Sequence, residues 1–177
     1  MLNKDRIKEA ENNVKSYLEE GLLKKASMNK QVMDIFLRNA KESLRVAEEI
    51  HEQKISDLWV IICSYYAMYY YANAVLLKLG YKVGEKIVHK VTADAMIVFV
   101  RGKLKETLLE EYEETRDEAL ELANVKADEI IESFDFERVK RSRFQYDMTE
   151  TIKNSKALTS LERAKRFVFE IEKLLIK

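Results

Sequence analysis

The chain has 177 residues, no proline, four glycines and balanced charge, with 31 Lys plus Arg against 31 Asp plus Glu. So few turn-formers argue against hairpins, sandwiches and barrels, which need such residues at every reversal. Zero net charge removes any global electrostatic case for nucleic acid as a partner, and a lone cysteine, Cys63, allows no internal disulfide and fits a reduced, cytoplasmic setting.

Taken in chain order, the sequence reads as helices joined by short links. Asn3 is placed to cap a first helix running to about Glu20, with Gly21 ending it. Its opening, MLNKDRIKEAENN, is polar and unlike a signal peptide. Ser27 is placed to cap a long second helix to about Lys54. Met33, Phe36, Leu37, Ala40, Leu44 and Ala47 form its apolar stripe at i, i+3, i+4 spacing. Ser56 caps the next helix and Gly80 ends it. Tyr81 to Val88, holding Gly84, reads as a loop. A short apolar helix starts at His89 or Thr92 and runs through Val100, where Gly102 breaks it. Thr107 to about Phe144 reads as one long helix, or two with a break near Asn124. After the polar stretch Asp147 to Ala157, Thr159 caps a last helix striped by Leu161, Ala164, Phe167, Ile171, Leu174 and Leu175. No segment alternates with period two for long enough to make a strand. The expected fold is all-α: an up-and-down antiparallel helical bundle in a single domain over 1–177, with an N-terminal helix in 1–24 and the core bundle from about 27.

The third of these helices is the most distinctive. Leu58 to Tyr81 carries Tyr65, Tyr66, Tyr69, Tyr70 and Tyr71 in an otherwise apolar run. Buried tyrosine brings a large apolar ring and a hydroxyl that needs a partner. Helical spacing puts Tyr65, Tyr69 and Ala72 on one side and points Tyr66 and Tyr70 elsewhere. The run is long enough to span a bilayer. Five tyrosines, Ser64 and Asn73 through its middle argue instead for the centre of a bundle and against a membrane.

Chemistry-bearing motifs are sparse. There is no P-loop, GxGxxG, CxxC or HExxH, and no cofactor or metal is expected. His51 falls in the last turn of the second helix, where a cation complements the dipole. His89 opens a helix without a ligand-spaced neighbour, which suggests a surface or capping role. Cys63 lies in the most apolar segment and reads as an inert core residue. Glu110/Glu114 and Glu114/Glu118 are i, i+4 pairs. No Glu-x-x-His accompanies them, so they read as a solvated face rather than a di-metal site. Charge is nonetheless segregated. Lys105 to Glu137 holds 13 acidic and 3 basic residues, and Arg138 to Arg166 holds 9 basic and 3 acidic. At the junction, RVKRSRFQYD (Arg138 to Asp147) sets four cations beside Phe144 and Tyr146. Cations bind phosphate and aromatic rings stack bases; a basic helix end complementing its own dipole is the plainer alternative.

The order of segments resembles the HEPN family (higher eukaryotes and prokaryotes nucleotide-binding), in its small stand-alone prokaryotic branch. The pieces that carry the likeness are LRNAKESLRVAEEI at Leu37 to Ile50, SYYAMYYYANAVLLKLGY at Ser64 to Tyr81, HK at His89–Lys90, RSRFQYD at Arg141 to Asp147, EGLLKK at Glu20 to Lys25 and the closing amphipathic helix. Together they span nearly the whole chain. The resemblance implies a helical bundle that dimerises through a shared cleft, in a family where many members are metal-independent ribonucleases, often toxins paired with a minimal nucleotidyltransferase. Their signature is Arg, four to six residues, then His. Arg141 matches the Arg, but Tyr146 stands where the His would be. Cleavage at a 2′-hydroxyl needs a base, and tyrosine, with a pKa near 10, serves poorly at neutral pH.

The expectation is therefore a nucleotide- or RNA-binding module, non-catalytic or weakly catalytic, working as a homodimer with a minimal nucleotidyltransferase in a toxin–antitoxin or defence setting. Its binding residues would be Arg138, Arg141, Arg143, Tyr146, Tyr66 and Tyr70. The alternatives are an endoribonuclease toxin using Arg141 and Tyr146 or another base, and a bundle whose role is structural.

Overall fold

Asn3 starts the first helix as its spacing predicts, its Oδ1 accepting from the Arg6 backbone N–H at 2.6 Å. The computed structural model describes residues 2–135 and 154–176, with backbone alone at residue 106 and residues 124–135. Helix α1 spans Lys4–Glu19 and buries Ala10, Val14 and Tyr17. That i, i+4, i+7 stripe packs chiefly on α4 (Val88–Val100). Gly21 adopts φ +72°, a left-handed value glycine reaches without steric cost.

Helix α2 spans Lys30–Glu52. Its cap is Asn29, whose Oδ1 accepts from Val32 N–H at 3.2 Å, and not the expected Ser27. Helix α3, Asp57–Lys78, is capped by Ser56, which accepts from Trp59 N–H at 3.4 Å. Fourteen of its 22 residues are buried, as only a helix surrounded by others would be. It touches α2, α4, α5 (Glu106–Asp135) and α6 (Asn154–Ile176). Gly80, at φ +87°, ends it.

Two short strands were not foreseen. Leu23–Lys25 (β1) pairs antiparallel with Tyr81–Val83 (β2), in the register Leu23↔Val83, Lys24↔Lys82, Lys25↔Tyr81. The segment after Gly80 is thus strand first and loop second. Three residues are too few to show alternation, which is why the pattern stayed silent. Gly84 closes the pair by donating its N–H to Leu22 O at 2.7 Å; a Cβ there would lie 3.1 Å from that same oxygen.

Helix α4 follows Ile87, which holds φ +43° and offers no side-chain cap. A 3₁₀ turn, Arg101–Lys103, leads to α5, which runs unbroken past Asn124. Helix α6 begins at Asn154, upstream of the expected start. Thr159 lies inside it and donates its hydroxyl to Ser155 O at 2.8 Å, so it is not a cap. The protein is an all-α helical bundle with six helices among the described residues and a two-stranded clasp.

Candidate functional site

Helical geometry stacks the tyrosines of α3 in pairs one turn apart. Ring centroids are 6.1 Å apart for Tyr65 and Tyr69, and 6.0 Å for Tyr66 and Tyr70. Tyr65 is fully buried, while Tyr66, Tyr69 and Tyr70 are half-buried. On the same helix Trp59 and Cys63 continue the Tyr66/Tyr70 stripe outward, Trp59 being 52% exposed.

The first turn of α4 carries His89 into this face. Its ring centroid lies 4.8 Å from that of Tyr69, 5.5 Å from Tyr65 and 6.0 Å from Tyr66. Its Nδ1 is 2.7 Å from Tyr65 Oη. His89 is therefore neither a cap nor a plain surface residue; α4 opens without a side-chain cap because its N-cap residue, Ile87, has no side-chain acceptor. Thr92, one turn on, donates to Val88 O at 2.8 Å and accepts from Asn73 Nδ2 at 3.3 Å. From α5, the Tyr112 ring sits 6.0 Å from that of Tyr65 and stacks on Phe167 of α6 at 5.4 Å.

These surroundings set the protonation states. Burial, and then the neighbouring Tyr112 hydroxyl, push Tyr65 far above the ordinary phenol range. Burial also raises Tyr66 and Tyr69, each with Tyr70 as a second cause. Burial and, after it, the Arg116 cation hold His89 below the usual imidazole value. At neutral pH the face is an uncharged assembly of aromatic rings and hydroxyls around one neutral imidazole. Such a surface offers ring faces for stacking and several hydrogen-bonding positions, with no fixed charge of its own.

A second polar assembly lies between α1, α4 and α5. Asp94 is wholly buried. Its Oδ1 accepts from Arg6 Nη2 at 2.6 Å, and its Oδ2 accepts from Asn13 Nδ2 and Tyr17 Oη, each at 2.9 Å. Arg6 also donates to Glu113 Oε1, from Nε at 3.0 Å and Nη2 at 2.6 Å. Burial alone would lower the Arg6 pKa; the hydrogen bonds to Glu113 and Asp94 outweigh it and keep the guanidinium firmly charged. In the sequence the signal of this group was Asp94 itself, an acid inside the apolar run VTADAMIVFV, where an unpaired carboxylate would be prohibitively costly.

Of the residues expected to bind, Tyr66 and Tyr70 pack together, and of the two Tyr66 lies beside His89. Arg138, Arg141, Arg143 and Tyr146 lie outside the described residues. The acids of α5 are not simply solvated: Glu114 pairs with Arg163, and Glu111 pairs with Arg166 at 2.9 Å, both across to α6. Cys63 is half-buried rather than core, with its thiol pushed up by burial and so poorly nucleophilic. Among the described residues no three His, Cys, Asp or Glu side chains converge as metal ligands would.

Helix α3 is long and apolar enough to cross a membrane, but 78% of its most apolar window is buried inside the protein. No protein-family model matches this chain, and no curated protein does.

Proposed function

We propose that the chain is a HEPN-like nucleotide- or RNA-binding module, non-catalytic or weakly catalytic, acting as a cytoplasmic homodimer beside a minimal nucleotidyltransferase. The observation that supports this reading is the half-buried aromatic face in which Tyr66 and Tyr69 flank His89 and Tyr70 packs on both of them. Aromatic faces stack bases of any sequence, and each such contact is worth about 1–3 kcal/mol. The face is uncharged, so phosphate would need cations from elsewhere. The RVKRSRFQYD segment supplies four in the sequence.

Fluorescence anisotropy with a labelled single-stranded RNA tests it. Wild type binds. Tyr66→Ala and Tyr70→Ala each weaken binding about 5- to 100-fold, as loss of one stacking contact requires. Arg141→Ala weakens binding and makes its salt dependence shallower, since it removes a phosphate contact. Helical circular dichroism stays as in wild type for all three. Absence of RNA affinity in the wild type leaves a structural bundle. One observation favours the ribonuclease alternative, namely the imidazole placed among these rings.

A further inference from the structure

Two departures from ordinary local structure meet at Ile87. It holds φ +43° and ψ +36°, a left-handed conformation in which Cβ crowds the following carbonyl. For a β-branched residue that is a genuine outlier. Ile87 is also the N-cap of α4, a position that favours Ser, Thr, Asn and Asp because their oxygens take up a first-turn N–H. It is 55% exposed, so side-chain packing does little to offset either cost. Backbone held this way persists only where the surroundings enforce it, and such places cluster at clamps and switches.

The enforcing contacts lie close by on both sides. Upstream, Gly84 donates its N–H to Leu22 O at 2.7 Å and pins the end of β2 to the clasp. Downstream, His89 is fastened to α3. Its Nδ1 lies 2.7 Å from Tyr65 Oη, and its ring packs on Tyr69, Tyr65 and Tyr66. Val88 and His89 are half-buried and Lys90 is exposed, whereas Val91 to Ile97 are all buried. The body of α4 is thus rooted in the core, while its first turn is held at the surface by one histidine. Thr92, a competent cap by type, would start a shorter helix.

We propose that the first turn of α4 is a strained latch over the tyrosines of α3. Closed, it seats His89 on Tyr65, Tyr66 and Tyr69. Open, Ile87 returns to negative φ, the turn unwinds as far as Thr92, and the side of Tyr65 beneath His89 is uncovered. Opening gives up the His89–Tyr65 hydrogen bond and the bond from Val91 N–H to Ile87 O at 3.0 Å. It releases the strain at Ile87, which brings the open form within reach of local fluctuation rather than global unfolding. The latch is independent of the RNA-binding reading, since it sets access to these rings for any ligand, and its test uses no nucleic acid.

Amide hydrogen exchange on the full chain, followed residue by residue by NMR, tests it. The amides of Val91, Thr92 and Ala93 bond back into the first turn, whereas those of Ile97 to Val100 bond within the body of α4. In wild type the first group is expected to exchange faster than the second, at a rate that low urea leaves unchanged, as for a local opening. Ile87→Asn accepts the left-handed conformation and brings a capping oxygen, so it is expected to slow the first group by about 5- to 150-fold. Tyr65→Phe keeps the ring and removes the fastening, so it is expected to speed that group by about 2- to 12-fold. Nitration of Tyr65 by tetranitromethane, read by peptide mass, is expected to slow in Ile87→Asn by a similar factor. First-turn amides that exchange only along with the body of α4, with the full urea dependence of unfolding, overturn the proposal. Unslowed exchange or unslowed Tyr65 nitration in Ile87→Asn overturns it too. Should that variant lose its helical circular dichroism, Tyr65→Phe decides, and unaltered first-turn exchange there overturns the latch.

Discussion

Asp94 shows how much one residue can organise. Its carboxylate is fully buried in a helix that is otherwise almost entirely apolar, and three donors from α1 meet it: Arg6, Asn13 and Tyr17. A buried ion pair adds little net stability over an apolar substitute, but removing one partner strands the other charge. Arg6→Ala would leave Asp94 without its counter-charge and Glu113 without two donated hydrogen bonds. Denaturant unfolding should show a loss of about 3 kcal/mol, at the low end for a broken buried pair because the Arg6 side chain is 21% exposed. Arg45→Ala, which breaks only the exposed i, i+4 pair with Glu49 at 3.5 Å, should cost about 0.3–0.5 kcal/mol. Equal losses in the two variants would mean that the Asp94 network is not the anchor of α1.

At the scale of elements, the caps offer a sharp comparison. Asn29→Ala should destabilise by about 1 kcal/mol, because Val32 N–H loses its acceptor. Ser27→Ala, two residues upstream and exposed, should change stability by less than about 0.5 kcal/mol. Thermal melts of the two variants decide it, and a larger effect at Ser27 would refute the assignment. Ser27 and Asn29 are both good caps by residue type, so type alone could not choose between them; the choice was made by where the chain leaves β1. The same limit explains the rest. Long amphipathic stripes and Gly21, Gly80 and Ser56 were legible because each acts through its own neighbours in sequence. The pairing of Leu23 with Val83 and the meeting of His89 with Tyr65 depend on chain segments far apart, and no local pattern encodes them. Tyr66 and Tyr70 could be picked out by spacing, but their companion could not: His89 looked like a helix opener because it does open one.

For the whole molecule, the tyrosines set a limit on the alkaline side. Tyr17, Tyr65, Tyr71 and Tyr112 lie on α1, α3 and α5, and burial is the first cause raising each above the ordinary value of 10.0. A raised phenol pKa favours the neutral form in the fold. Its contribution is complete below about pH 10 and is lost as pH rises above it, because the unfolded chain ionises first. Above that point stability should fall by about 1.4 kcal/mol per pH unit for each tyrosine kept neutral by folding. Tyrosinate absorbance from these residues should therefore rise together with loss of helical circular dichroism. Complete ionisation with the helices intact would contradict the burial of these hydroxyls. On the acid side His89 has the opposite sign: its pKa is lowered, so its contribution is present above the ordinary histidine value and lost as pH falls below it.

The long reach of Arg6 also bears on how the chain is born. Its partner Asp94 is 88 residues downstream and Glu113 is 107. At a synthesis rate of about 5–20 residues per second, α1 waits roughly 4–15 s after its own translation before Asp94 is made. During that interval Ala10, Val14 and Tyr17 lack a complete α4 to cover them. Helix α1 is thus made well before the helix it docks on, a nascent segment that a chaperone at the ribosome would meet with its apolar stripe bare.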